Sequence, residues 1–271
     1  SKNISSDTEN IKLSIVGHPN VGKSSIFNLL TESNRSIVSD IPGTTRDSID
    51  YVANYGENKI KFIDTAGLKK RGQIDPGIDK YSTIRTIKSI ENADVCILII
   101  NSEEMITAQD LHISGFIKDL MRPCIIVLNK IDLLDKYEAE SLIKKIKEKF
   151  SHIPDIPVIL TSATKVINID KIVPEAIMVY ENSIKRISQK ELNKCFINAI
   201  TNKQPPSKGK KTPELFSISQ YKVGPPGFKF ESSNYDLIHF SYKRYLENNI
   251  RQSFDFSGCP ISLRFVKGKK Y

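Results

Sequence analysis

The apolar positions of this chain follow two different rhythms. From residue 11 to 184, short continuous apolar runs alternate with longer segments of helical period. KLSIV (12–16), VCILII (95–100), CIIVLN (124–129) and PVILTS (157–162) read as buried strands. DSIDYVANY (47–55) and NKIKFIDT (58–65) read as two strands about a turn at Gly56. Helices are predicted over 23–31, near 81–91, over 108–120, over 140–150 with Leu142, Ile143, Ile146 and Phe150 inward, and near 169–179. Continuous apolar strands alternating with helices predict a mostly parallel sheet with helices on both faces. From 185 to 271 the order changes to helix (189–201), strand (214–222), strand (228–233), helix (235–253) and strand (260–266), a small α+β sheet with helices on one face. The basic loop NKQPPSKGKK (202–211) is rich in helix breakers.

Charge divides the chain at the same place. Residues 1–184 carry 23 Lys+Arg against 25 Asp+Glu, a net −2, whereas 185–271 carry 17 against 6, a net +11. Two domains are therefore expected, 11–184 and a basic 185–271, after a disordered polar segment 1–10 with no signal-peptide core. No apolar run approaches the ~18 residues of a membrane helix. Cys96, Cys124, Cys195 and Cys259 are scattered and form no CxxC pair, and Cys96 and Cys124, within apolar strand-like runs, read as small core residues, which fits a reducing cytoplasm.

The chemistry begins at Gly17-His18-Pro19-Asn20-Val21-Gly22-Lys23-Ser24, followed by Ser25. This is G-x-x-x-x-G-K-[ST] between a strand and a helix, the context that gives the motif its meaning. Its backbone N–H groups and the helix start would cradle a β-phosphate. Lys23 would reach the β/γ oxygens, and the Ser24 hydroxyl would bind Mg2+. Asn129-Lys130-Ile131-Asp132 ends a strand, and a carboxylate at Asp132 can accept N1–H and N2–H of guanine, a pair that adenine lacks. The stem of Lys130 would lie over the base, with Asn129 bridging to the phosphate loop. Backbone N–H groups around Ser162 and Ala163 would meet guanine O6. Asp64-Thr65-Ala66-Gly67-Leu68 can hold a magnesium shell, with Asp64 acting through water, and a phosphate. The polar stretch 33–47 reads as a first switch with Thr45 as a magnesium ligand, and 65–80 as a second. Where many GTPases carry a water-orienting Gln, this chain has Leu68.

GHPNVGKSS, DIPGTTRD, DTAGLKKRG, GIDKYSTIRT, NKID and TSA, with YKRYLENNIR and PISLRFVKGKK near the end, resemble the Der (EngA) family of bacterial ribosome-assembly GTPases. The resemblance covers nearly the whole chain from about Lys12. It implies an α/β P-loop GTPase domain followed by an α+β KH-like domain. That family carries two tandem GTPase domains, so the resemblance further implies that this is the second, with a first one missing upstream. It also implies K+ in place of an arginine finger, held by Asn20 and by carbonyls around Ser39 and Ile41, with Arg46 as a rival positive charge. Lys23, Thr45, Gly67 and Asn20 are then the candidate catalytic residues.

GPPG (224–227) is not read as the nucleic-acid-clamping loop of a KH domain. It lies between two strands rather than two helices, and its prolines lack N–H donors. RNA contact is expected instead from Lys208, Lys210, Lys211, Lys243, Arg244, Lys267, Lys269 and Lys270. The expected function is a GTP-hydrolysing switch in large ribosomal subunit assembly, in which the GTP state positions the basic domain for rRNA. An RNA-binding adaptor with negligible hydrolysis is the alternative. A signalling or transport GTPase is disfavoured by the basic domain and by the lack of a lipidation motif.

Overall fold

The computed structural model describes residues 10–32, 50–65, 68, 79–104, 106–207 and 211–268. Strand β1 (Ile11–Val16) leads to helix α1 (Lys23–Glu32), and the β2–β3 hairpin (Tyr51–Tyr55, Asn58–Phe62) is followed by α2 (Asp79–Asn92). Then come β4 (Val95–Asn101), α3 (Ala108–Asp119), β5 (Cys124–Asn129), α4 (Lys136–Lys149), β6 (Val158–Leu160) and α5 (Ile172–Ile184). The strands order as β2-β3-β1-β4-β5-β6, parallel throughout except for the antiparallel β2–β3 pair. Every residue of β4 and β5 is buried. Continuous apolar runs end up in the centre of a sheet because both of their faces need cover.

The C-terminal elements are α6 (Gln189–Asn202), β7 (Leu215–Lys222), β8 (Gly227–Ser232), α7 (Phe240–Ser253) and β9 (Ser262–Lys267). Strand β8 pairs antiparallel with β7 and parallel with β9. Leu192, Phe196, Tyr242, Leu246 and Ile250 from the helices and Ile218, Phe228 and Phe230 from the sheet are all buried, forming a core of their own. The Phe196 and Phe230 rings lie 6.3 Å apart across it. GPPG joins β7 to β8, strand to strand, as the order of elements predicts. By contact density the chain divides into Ser1–Tyr180 and Glu181–Tyr271, a turn of helix ahead of the charge break.

Three predicted helices differ at their starts. The one expected at 140 begins at Lys136, because Asp135 and Glu138 form a capping box in which each side chain accepts the other's backbone N–H. The one expected from 235 is split into a 3-10 turn at Tyr235–Leu237 and a helix capped by His239. The one expected at 169 opens as a 3-10 turn, Ile169–Lys171, and runs on to Ile184. Caps fix the starts more sharply than hydrophobic period does. All four cysteines are buried thiols, Cys96 and Cys124 as expected of core residues and Cys195 and Cys259 besides, and burial pushes Cys96 and Cys259 up to about 12.

Candidate functional site

Residues 17–22 carry the chain from β1 to α1, and two glycines shape that passage. Gly17 has φ +150°, and a Cβ on it would lie 2.5 Å from the Ile99 carbonyl oxygen. Gly22 has φ +99°, and a Cβ there would lie 2.2 Å from Asn129 Nδ2. The first glycine lets the loop press against β4, and the second leaves room for the Asn129 amide.

Asn129 is the last residue of β5 and is 1% exposed. Its Nδ2 donates to the Val21 carbonyl at 2.9 Å, and its Oδ1 accepts the Ala163 N–H at 3.1 Å. One side chain thereby joins the phosphate loop to the segment after β6. From the other side, His18 Nδ1 lies 2.9 Å from Asp110 Oδ1, and its Nε2 lies 3.1 Å from Glu104 Oε2. The second oxygen of Asp110 accepts the N–H and hydroxyl of Thr107, closing the start of α3. Glu104 is itself bonded to Asn101 at the end of β4. The loop is thus braced by β5 and by α3.

Lys23 folds back over the loop, and its ammonium donates to the carbonyls of Gly17 at 2.9 Å and His18 at 2.7 Å. Burial pulls its pKa from 10.5 down to about 8, against the opposing attraction of Asp110. A charged group so short of solvent is stabilised by any anion brought to it.

Asp64 leaves β3 with φ +57°, and its N–H donates to Asp50 Oδ1 at 3.3 Å. Its carboxylate is taken by Arg85 of α2. Nε lies 2.7 and 2.8 Å from the two oxygens, and Nη2 lies 2.5 Å from Oδ1. Nothing in the sequence marked Arg85 as a partner of Asp64, 21 residues away. Thr65 is fully buried, and Leu68 is 6% exposed with its N–H on the Thr65 carbonyl at 2.9 Å.

On the base side, Lys130 has φ +69°, and its ammonium pairs with Glu103 at 2.9 Å. Asp132 lies in the 3-10 turn Ile131–Leu133 and is exposed, so the cost of burying it unpaired would arise only beneath a bound base. The N–H groups expected to meet a guanine O6 already have partners in the protein. Thr161 donates to the Leu128 carbonyl, Ser162 to the Ile167 carbonyl and Ala163 to Asn129. A contact from Ala163 to O6 would have to be shared with Asn129.

The structure therefore gathers Gly17 to Ser24, Asp64, Asn129 and Ala163 at the carboxyl ends of β1, β3, β5 and β6, where parallel sheets bind ligands. Pro19, Asn20 and Ser25 are exposed, Val21 is buried, and Asn20 holds φ +67°. Ser39, Ile41, Thr45, Arg46, Ala66, Gly67, Lys208, Lys210, Lys269 and Lys270 lie outside the described residues. In the C-terminal unit Lys211, Lys243, Arg244 and Lys267 are exposed. Lys243 Nζ lies 5.2 Å from the centre of the Phe265 ring. Phe240, also on α7, is 68% exposed. The sequence held a signal for it, because Phe240 falls off the Tyr242–Leu246–Ile250 stripe that buries the helix.

Comparison with known proteins fits this geometry. The family model of 50S ribosome-binding GTPases matches residues 12–130, and that of the KH-domain-like C-terminal domain of EngA bacterial GTPase enzymes matches 186–265. GTPase Der of Clostridium acetobutylicum is 41% identical over 265 residues, covering 97% of this chain and 60% of that protein. The chain belongs to the Der (EngA) GTPase family. GTPase Der of Caldicellulosiruptor saccharolyticus is 38% identical, covering 94% of this chain and 58% of that protein. The chain thus spans about 60% of the length of these Der relatives. In fold it is similar to Era crystallised with MgGDPNP and nucleotides 1506–1542 of 16S ribosomal RNA, with a TM-score of 0.50 and 24% identity over 97% of this chain and 94% of that one. Among the described residues no helix is long and apolar enough to cross a membrane.

Proposed function

We propose that this chain is a GTP-hydrolysing switch that acts in the cytoplasm on the large ribosomal subunit during its assembly. The observation that carries the reading is Asn129, one buried amide that ties the phosphate loop to the segment where a base would lie. The loop N–H groups and the Lys23 ammonium would hold the β- and γ-phosphates. Asp132 would take guanine N1–H and N2–H, and the Lys130 stem would cover the base.

Mg2+ takes one or two protein oxygens and keeps waters and phosphates for the rest of its shell. The Ser24 hydroxyl and the Asp64 carboxylate suit it, and Asp64 already balances a positive group in Arg85. Ser24 would bind it directly and Asp64 through water, with Thr45 added when the γ-phosphate is present; the ion would neutralise charge on the phosphate oxygens. In hydrolysis Leu68 has no group with which to orient water. Positive charge beside the phosphates would instead come from K+ held by Asn20 and by carbonyls near Ser39 and Ile41. The basic C-terminal unit would contact rRNA, its position set by the nucleotide.

The apolar, buried Leu68 also favours a second reading, an rRNA-binding adaptor that barely hydrolyses GTP alone. Turnover of GTP by the chain in K+, together with its sedimentation with large subunits under GDPNP and under GDP, tests both readings. Turnover with nucleotide-dependent sedimentation is the expected result. Nucleotide-dependent sedimentation without turnover selects the adaptor, and equal sedimentation in both nucleotides refutes the switch.

A further inference from the structure

We propose that Arg85 is a positioning residue that competes with magnesium for Asp64 and so couples helix α2 to the nucleotide site. The inference rests on the reading of Asp64 as part of the magnesium shell. Arg85 engages both carboxylate oxygens, with Nε at 2.7 and 2.8 Å and Nη2 at 2.5 Å from Oδ1. The carboxylate has little freedom to serve a second cation elsewhere. The Asp64 N–H is tied to Asp50, whose other oxygen pairs with Lys61 at 2.8 Å, and the next residue, Thr65, is fully buried.

Arg85 occupies a telling place on its helix. Beyond it, Ser89 Oγ lies 2.6 Å from Ser14 Oγ of β1, and Ile90 is fully buried, so the C-terminal half of α2 belongs to the core. Before it, Thr83 and Ile84 are exposed. Arg85 therefore ties the outer half of α2 to the end of β3. A hydrated divalent cation at Asp64 places positive charge against the guanidinium, and the two repel. Coupling of this kind is reciprocal. By whatever factor Arg85 weakens magnesium at the site, magnesium weakens the hold of Arg85 on Asp64, and the outer half of α2 is loosened to the same degree. The Arg85 side chain is 43% exposed and that of Asp64 21%, so the factor is modest.

The test is a magnesium titration of the full chain with a fluorescent GTP analogue, for wild type, Arg85→Ala and Arg85→Lys. Arg85→Ala is expected to lower the Mg2+ concentration at half-saturation roughly fivefold, the measure of a half-exposed bidentate pair. Arg85→Lys, which keeps the charge but loses the fork, is expected to fall between the two. GDP affinity in EDTA should stay the same in all three, a control for folding that a general loss of structure would fail. Hydrogen exchange across 79–88 should rise on adding Mg2+ and GDPNP to wild type and be already raised in Arg85→Ala. Half-saturation that is unchanged or increased in both variants overturns the competition while leaving the magnesium site standing. GTP binding indifferent to Mg2+ in wild type overturns the site and the competition together. If Arg85→Ala does not fold, Arg85→Lys carries the same comparison.

Discussion

Lys23 gives the proposed phosphate site a signature in protons. Its ammonium is held by two carbonyls, and burial lowers its pKa from 10.5 to about 8. Bringing phosphate oxygens to it restores the charged form. At pH 8, where about half of the chains carry the proton, GTP binding should therefore take up about half a proton, and near pH 7 almost none. Above pH 8 the affinity should fall, approaching tenfold per pH unit. Without ligand the same group acts on stability in the opposite sense. Its folded pKa lies below the unfolded value, so between about pH 8 and 10.5 the unfolded chain binds more protons, and stability rises with pH. The ceiling is roughly 3 kcal/mol. Burial raises the four thiols, which pulls stability down above about pH 9. The quantity to read is thus the difference between wild type and Lys23→Met in urea unfolding at several pH values. Calorimetry of GTP binding in buffers of different ionisation enthalpy gives the proton count. Zero uptake at pH 8, or a wild-type-minus-variant stability that falls with pH, would refute the argument.

Two further outcomes bear on the cation and on the RNA. Potassium should speed GTP hydrolysis over sodium at equal ionic strength, and Asn20→Gly should abolish the difference while leaving GDP binding mostly intact. Glycine removes the amide without straining a backbone at φ +67°, and equal wild-type rates in the two salts would dismiss the potassium site. Phe240→Ala should weaken binding of single-stranded rRNA segments roughly five- to a hundredfold, and Phe240→Trp should retain it, because an exposed ring beside Lys243 and Arg244 offers a base a stacking face. The salt dependence, about 0.7 log units per log unit of salt for each phosphate contacted, should be the same in both variants. Unchanged affinity in Phe240→Ala would move the contact elsewhere.

What could be read from the sequence followed from how local each cause was. The fully buried β4 and β5 are visible as VCILII and CIIVLN because runs of six and five consecutive apolar residues need cover on both faces. GxxxxGKS is visible because the steric demands on Gly17 and Gly22 leave no other residue type. Helix starts were less legible, since a cap such as Asp135–Glu138 outweighs a periodicity that begins several residues later. Apart from Asn129, whose NKID motif announced its reach to the phosphate loop, partners brought in from far along the chain left little mark. His18 meets Asp110 across 92 residues, and only the TAQD capping pattern at 107–110 hinted that an acid would be fixed there. The N–H groups of Ser162 and Ala163 looked available for a base because sequence does not show that Ile167 and Asn129 had already taken them.

Leu68 is the one position where the sequence posed a question by what it lacks, and its surroundings allow a sharp answer. It does not stand in for a mobile glutamine that has lost its amide. Its side chain is 6% exposed, and its N–H closes a turn onto the carbonyl of Thr65, itself fully buried. An amide introduced there would enter the protein rather than reach the phosphates. Leu68→Gln should therefore fail to speed hydrolysis and should cost roughly 1–3 kcal/mol of stability, the penalty of burying a polar group without a partner. Leu68→Met, which keeps volume and apolarity, should cost less than about 1.5 kcal/mol. Urea unfolding of the three proteins, with single-turnover hydrolysis in K+ and in Na+, separates the outcomes. Faster hydrolysis by Leu68→Gln that no longer depends on K+ would mean that this side chain does reach the attacking water. In that case the apolar residue would be a brake on the reaction, and the cation at Asn20 would not be its source of positive charge.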